Sequence, residues 1–400
     1  MLRLKEFTPR EGWQSKVEDT GLPFHTVDGE VYWSEGRVYE LSPGEVDRIR
    51  HASDELHAMC LDLVSDVVET EALMRRFGIP EVHWNMIAES WRTERDRGIA
   101  GRFDLALGGG GVPKMLEYNA ETPGMGVESS VTQSDWLAEQ IDLGVLPGDA
   151  GQFNTLQEAL RDRLAAIYPA GSDVHFTCAS FEEDYAYTEL LGRLLFENGS
   201  TPHFTLMDEI RIDQDGHFTD GNQRIIRDLV KFYAWDFMFF EAFCEAIPAS
   251  GCRMVEPAWK SILSSKALLP LLWERHRGHP NILKSAFLDE DVDFDGLHFF
   301  KPLFSGNGEG IEARKNGRVL AREEQGVILE GAAAGILQDA TDVPVFEGSR
   351  TPPGALSPAR SAVIGSWMVE DACVGMMVAE NDGLIGGEER SFSPHFILDR

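Results

Sequence analysis

Three observations predict an α/β (α+β) fold. Strands alternate with helices from Asp173 onward, an earlier pair of strands is joined by a glycine-rich turn, and a β-rich tail follows Pro257. The chain has 400 residues, 43% of them hydrophobic, which is enough for a large core and for two or three domains of ordinary size.

The first forty residues carry Pro9, Gly12, Gly21 and Pro23 among aromatic patches at Phe24 and Tyr32-Trp33, and read as an irregular arm with a hairpin at Asp28-Gly29. Ser42-Pro43-Gly44-Glu45 supplies a cap, a proline at the first helical position and a glutamate three residues after the cap. Apolar residues then recur at Val46, Ile49, Leu56, Met59, Leu63 and Val67, so a helix is predicted over 43–70. Strands follow over 101–107 and 114–118. The glycine-rich stretch from Gly108 to Pro113 joins them as a hairpin that brings Asp104 close to Glu117. Helical periodicity returns over 128–141 and 154–168.

From Asp173 the order is strand 174–179, helix 185–198, strand 203–207 and a strand within 225–233, the pattern of a largely parallel, three-layer α/β unit. A further segment begins near Pro257, with a helix over 264–273. Its β-rich tail has turns at Asn316-Gly317 and Asp382-Gly383 and paired core strands over 362–369 and 374–378. The chain has no internal repeat and no low-complexity linker.

Composition excludes some classes of function. No run of about eighteen apolar residues occurs, and the first ten residues are charged where a secretory segment is apolar, so a cytoplasmic protein with no membrane partner is expected. A formal net charge of -31 argues against nucleic acid as a partner and permits a cationic substrate, although surface acid that promotes solubility explains the charge equally well. Five scattered cysteines without a C-x-x-C pair read as buried thiols. His276 and His279 lie in a Gly-Pro turn and are given no role.

The chemistry gathers around Lys114 to Pro123. Side chains alternate along a strand, so Glu117 and Asn119 point the same way and set a carboxylate beside an amide oxygen. Hard oxygens at that spacing suit Mg²⁺, and Asp104 with Arg102 on the neighbouring strand would complete a site for a metal and a transferring phosphate. A half-exposed strand also shows such alternation, so other segments must weigh in.

Downstream, an apolar strand delivers Lys301 and ends in Ser305-Gly306-Asn307-Gly308-Glu309-Gly310. That is either a loop folding over ATP phosphates or a glycine-rich hairpin. Lys266, in the first turn of the predicted helix, either snorkels or holds further phosphates. The strand ending at Glu347 suits an adenine edge. Glu182, Glu183 and Asp184, after the strand 174–179, are placed to hold ammonium groups or to form an ordinary acidic loop, and Asp371 is a weaker candidate of the same kind.

With these blocks in order, the chain resembles the synthetase part of the glutathionylspermidine synthase family. The matching stretches include Gly101-Arg102-Phe103-Asp104, Glu117-Tyr118-Asn119-Ala120-Glu121-Thr122-Pro123, Tyr233-Ala234-Trp235-Asp236, Lys260-Ser261-Ile262-Leu263-Ser264-Ser265-Lys266, Lys301-Pro302-Leu303-Phe304-Ser305 and Ile364-Gly365-Ser366-Trp367. The resemblance implies an ATP-grasp fold with a preceding three-layer pre-ATP-grasp domain. It divides the chain into 1–172 with the metal-ligand hairpin, 173–256 as the pre-ATP-grasp domain, and 257–400 as the nucleotide-binding domain.

The resemblance also implies a ligase that uses ATP and Mg²⁺ to join a peptide-like carboxylate to an amine, such as a polyamine, through an acylphosphate. Asp104, Glu117 and Asn119 would be magnesium ligands, Arg102 the catalytic cation, and Lys266, Lys301, Ser305, Gly306, Gly308 and Glu347 the ATP-binding residues. Glu182, Glu183, Arg360 and Asp371 would bind substrate, with Arg350 or Arg360 replacing the arginine of the family's closing loop.

The chain departs from the family at three places. No Cys/His amidase segment precedes the synthetase blocks, so only amide formation is expected. Gly124-Met125-Gly126-Val127 stands where the family has small hydroxyl residues, and the segment 348–361 is unlike the family's loop. A phosphotransferase or a non-catalytic ATP-binding module would present the same nucleotide site, and both are kept as alternatives.

Overall fold

The computed structural model describes residues 2–108, 110–323, 335–347, 359–387 and 390–399, and its architecture is mixed α/β. Helix Pro43–Glu69 begins as its sequence predicts: the Glu45 carboxylate accepts the Ser42 N–H at 2.9 Å, and proline occupies the first turn. Its buried residues Val46, Ile49, Leu56, Cys60, Leu63, Val64 and Val67 form one face at helical spacing, packed on strands Arg360–Val369 and Ala372–Asp382.

The predicted hairpin strands are Ala100–Leu107 and Pro113–Asn119, paired antiparallel. They belong to a larger sheet. Among the described residues its order runs Ser391–Ser393, Ala372–Asp382, Arg360–Val369, Ala100–Leu107, Pro113–Asn119, with Val345–Phe346 attached to the start of Arg360–Val369. Leu105, Ile364 and Met376 face the core under the long helix, whereas Trp367 and Met377 face a second core around helices Leu156–Ile167 and Glu182–Glu197. The sheet is therefore covered on both sides, and the hairpin reaches into the middle of the molecule.

The segment beginning at Asp173 forms an all-parallel sheet in the order Arg253–Val255, Asp228–Phe232, Asp173–Cys178, Thr201–Phe204. The tail supplies a five-stranded antiparallel sheet containing Leu297–Pro302 and the hairpin Glu312–Lys315/Arg318–Arg322, which turns at Asn316-Gly317 with positive φ at both residues. All five cysteines are buried and free. No helix among the described residues is long and apolar enough to cross a membrane.

Three sequence expectations need correction. The arm is not wholly irregular: Arg3–Glu6 pairs antiparallel with Arg37–Leu41, and Trp13–Asp19 is a helix. The helix expected over 128–141 starts as a π-helical turn, Glu128–Thr132, before continuing as Gln133–Asp142. The helix expected over 264–273 is two short helices, Lys260–Ser264 and Leu268–Arg275, with Lys266 in the break. The break follows from a tertiary bond: the Lys266 N–H donates to the Leu303 carbonyl at 3.0 Å instead of continuing a helix.

Candidate functional site

In the register of the central hairpin Asp104 stands opposite Glu117, and Arg102 opposite Asn119. Directly paired residues share a face, so these four side chains converge on one side of the sheet. A β-bulge after Asp104 interrupts the ladder at this point, a device that re-aims side chains beside sites. Two carboxylates facing each other across strands repel, and the structure surrounds them with cations and amides.

Arg102, buried beneath, forks onto Asp104 with bonds of 2.7 and 3.0 Å, and its third nitrogen donates to the Gly124 carbonyl at 2.8 Å. The Asn119 amide lies 3.3 Å from both carboxylates. The Lys266 ammonium is 3.2 Å from Glu117 and donates to the Ser305 carbonyl at 2.8 Å. Lys301, at the end of Leu297–Pro302, donates to the Leu116 carbonyl at 2.8 Å, behind the same carboxylate.

The electrostatics follow from this crowding. Burial by itself would raise the Glu117 pKa, but the charges of Lys266 and Lys301 outweigh it and hold the carboxyl well below its usual range. Burial, helped by the neighbouring Lys266 charge, brings Lys301 down to about 8 against the pull of Glu117 and Asp104. The cluster thus gathers two carboxyl groups, two lysines and a guanidinium within one patch.

Hard oxygens from two carboxylates and an amide are the donor set that Mg²⁺ takes, so Asp104, Glu117 and Asn119 fit a magnesium ion. The Ser305 hydroxyl, buried beside the Lys266 contact, has no hydrogen-bond partner among the described residues, which fits an anion-binding edge.

The loop 305–310 is built for close approach. Asn307, Gly308 and Gly310 have positive φ, and a β-carbon on Gly308 would lie 2.2 Å from the Gly386 carbonyl oxygen. Arg390 reaches the Asn307 side chain and ties the loop to the strand that follows. Among the described residues nothing lies within 4 Å of the β-carbon direction of Gly306.

Other candidates stand apart from this cluster. Glu347 is exposed after Val345–Phe346, its carbonyl accepting from Arg37 at 2.9 Å. Phe346 pairs with Arg360, five residues along the strand from the partner of Asp104, which is roughly 17 Å at strand rise. Arg360 is paired with Asp382 at 2.9 Å and donates to the Ser391 hydroxyl at 2.7 Å. Arg350 and most of the segment 348–361 lie outside the described residues. Asp371 is in the turn after Arg360–Val369, on the far side of the hairpin, with its carboxylate 3.3 Å from His57.

Glu182 and Glu183 are exposed in the first turn of Glu182–Glu197. Close behind them lies a group that the sequence did not single out. The Tyr32 hydroxyl donates to Glu128 at 2.5 Å, and burial pushes the Glu128 carboxyl up to about 7, with Glu183 adding to the rise. Asp184 is likewise pushed up to about 7 by burial and by Glu183. Only the position of Glu128, just past the Gly124-to-Val127 departure, hinted at this. The pairing with Tyr32 spans 96 residues and leaves no local pattern.

The family model described as glutathionylspermidine synthase preATP-grasp matches residues 4–398. A Haemophilus influenzae protein carrying the provisional name acid–amine ligase is 29% identical over 410 aligned residues, covering 100% of both chains. Trypanothione synthetase of Crithidia fasciculata is 26% identical over 406 residues, covering 95% of this chain and 57% of its own. The bifunctional glutathionylspermidine synthetase/amidase of Escherichia coli is 26% identical over 301 residues, covering 68% of this chain and 47% of its own. The chain thus spans about half the length of these last two relatives.

Proposed function

Because the chain belongs to the glutathionylspermidine synthase preATP-grasp family, we propose that it is an ATP- and Mg²⁺-dependent carboxylate–amine ligase that forms an amide through an acylphosphate. The observation that carries this reading is the convergence of Arg102, Asp104, Glu117, Asn119, Lys266 and Lys301 on one face of a buried hairpin. We read the folds of 173–256 and 257–400 as a pre-ATP-grasp domain and an ATP-grasp domain, with 1–172 contributing the hairpin to the site.

A carboxylate resists an amine because oxide would have to leave. In the first step its oxygen attacks the γ-phosphorus of ATP, and the bond to the β-phosphate oxygen breaks to release ADP. In the second, the amine nitrogen adds to the acyl carbon, phosphate departs with the electrons of the C–O bond, and the nitrogen loses a proton. Asp104, Glu117 and Asn119 would hold the magnesium, which when bound would supply positive charge against the phosphate oxygens. Arg102 sits where charge builds on the transferred group, Lys266 and Lys301 neutralise the remaining phosphates, and the loop 305–310 excludes water that would hydrolyse the acylphosphate.

The acidic group at Glu182, Glu183 and Asp184 favours a cationic amine, and relatives named for glutathionylspermidine and trypanothione synthesis make a polyamine the first candidate. Gly124 lends its carbonyl to Arg102, and Gly124-Met125-Gly126-Val127 carries no side-chain hydroxyl, which favours an acid other than glutathione.

Incubation with Mg-ATP and panels of peptide acids and amines tests the proposal, with ADP and product mass as readouts. ADP release that requires both an acid and an amine is expected. A stable phosphorylated product would replace the ligase with a phosphotransferase, and nucleotide binding without turnover on any pair would replace it with a binding module.

A further inference from the structure

Tyr118 lies between Glu117 and Asn119 in the chain and projects from the opposite face of the strand. Its ring stacks on Phe103, centroids 3.8 Å apart, and lies so close to Gly101 that a β-carbon there would be 2.8 Å from it. Beyond the ring, packing gives way to a cavity of about 250 Å³ bordered by His57, Arg95, Arg163, Tyr118, Trp259 and Asp371. The Tyr118 hydroxyl is held there 2.8 Å from Nδ1 of His57. His57 sits on helix Pro43–Glu69, and its Nε2 is 3.3 Å from the Asp371 carboxylate.

A carboxylate only accepts, so Nε2 donates to Asp371; with the ring neutral Nδ1 then accepts from the Tyr118 hydroxyl, and with the ring doubly protonated Nδ1 donates to the Tyr118 oxygen, so either form links the three side chains. The helix, the hairpin strand and the turn after Arg360–Val369 are thereby locked in sequence. A strand segment of three residues moves as one body, so the tilt of Tyr118 sets the tilt of both its neighbours.

We propose that His57, oriented by Asp371, is a positioning residue that fixes Glu117 and Asn119 for magnesium by holding Tyr118 from behind. This rests on the reading of Asp104, Glu117 and Asn119 as the magnesium-binding set. Metal ligation tolerates errors of only about 0.5 Å, and partners one shell out from a metal typically change affinity roughly ten- to a hundredfold.

The test titrates MgCl₂ against binding of a non-hydrolysable β,γ-imido ATP analogue, with thermal unfolding measured in parallel. Tyr118→Phe and His57→Phe are each expected to raise the half-saturating magnesium concentration roughly tenfold while leaving magnesium-free nucleotide affinity unchanged. The double variant should be no worse than either single one, and His57→Asn, which restores a hydrogen-bonding partner, should recover most of the loss. Lower thermal stability with an unchanged magnesium midpoint, or additive effects in the double variant, would overturn the positioning role alone. A wild-type protein showing no magnesium-dependent nucleotide binding would overturn the site reading beneath it.

Discussion

Glu117 faces both lysines of the cluster, whose charges hold its carboxyl well below the usual range. Glu117→Ala should lower turnover on the order of a hundred- to thousandfold with the far-UV circular dichroism unchanged, and a variant of full activity would remove Glu117 from the magnesium set. Lys301 gives the site a pH dependence of defined sign. Free of nucleotide it deprotonates through about pH 8, and bound phosphate favours its charged form, so binding takes up a proton and weakens as pH rises. Calorimetry with a non-hydrolysable analogue should show roughly tenfold weaker binding at pH 9 than at pH 7, and Lys301→Arg should flatten the curve. The shared face of Asp104, Glu117 and Asn119 was legible in the sequence because strand alternation is local and a glycine-rich turn joins the two strands, whereas their reading as magnesium ligands rested on the family resemblance. Lys266 was legible as a residue but not in its setting, because its helix break depends on Leu303. Glu128 and His57 were hidden, since each acts through a partner distant in the chain.

Among the elements, the loop from Ala120 to Val127 bears the tightest steric constraint near the site. Gly124 lends its carbonyl to Arg102, Met125 has positive φ, and a β-carbon on Gly126 would fall 2.1 Å from the Tyr187 ring, which is itself buried against Phe232. Gly126→Ala should therefore cost about 1–3 kcal/mol in denaturant unfolding and also slow turnover, because the displaced loop carries the Arg102 contact with it. Unchanged stability would mean that Tyr187 has room to yield. Long periodic elements such as Pro43–Glu69 and Arg360–Val369 could be read from their patterns. The edge strand Arg3–Glu6 could not, because Arg-Leu-Lys-Glu has no apolar alternation and becomes a strand by pairing with the fully buried Arg37–Leu41. The π-helical start at Glu128 was equally invisible, since its residues fit an ordinary helix.

Over the whole molecule, the last strand, His395–Ile397, fastens the first half of the chain, pairing in parallel with Arg37–Leu41. His395 is buried and neutral: its Nε2 accepts the Phe153 N–H at 3.1 Å, its Nδ1 donates to the Gln133 side-chain oxygen Oε1 at 3.0 Å, and burial lowers its pKa to about 3. The folded pKa lies below the unfolded 6.5, so stability is full above pH 6.5 and is lost as pH falls toward 3. The thermal midpoint should drop between pH 6.5 and 5 in the wild type and less steeply in His395→Gln. An equal slope in both would place the acid sensitivity elsewhere. Composition and charge conveyed the size of the core, but no local pattern could say that Arg360–Val369 lies beside Ala100–Leu107. That pairing joins Arg102 to Trp367, about 260 residues further on. During synthesis the hairpin can form early, yet its inner edge stays unpaired for on the order of tens of seconds while the ribosome makes the rest. For that interval the nascent chain presents a bare strand edge next to charged groups that will later be buried, so yield in the cell should depend on how well that edge is shielded before the final strands emerge.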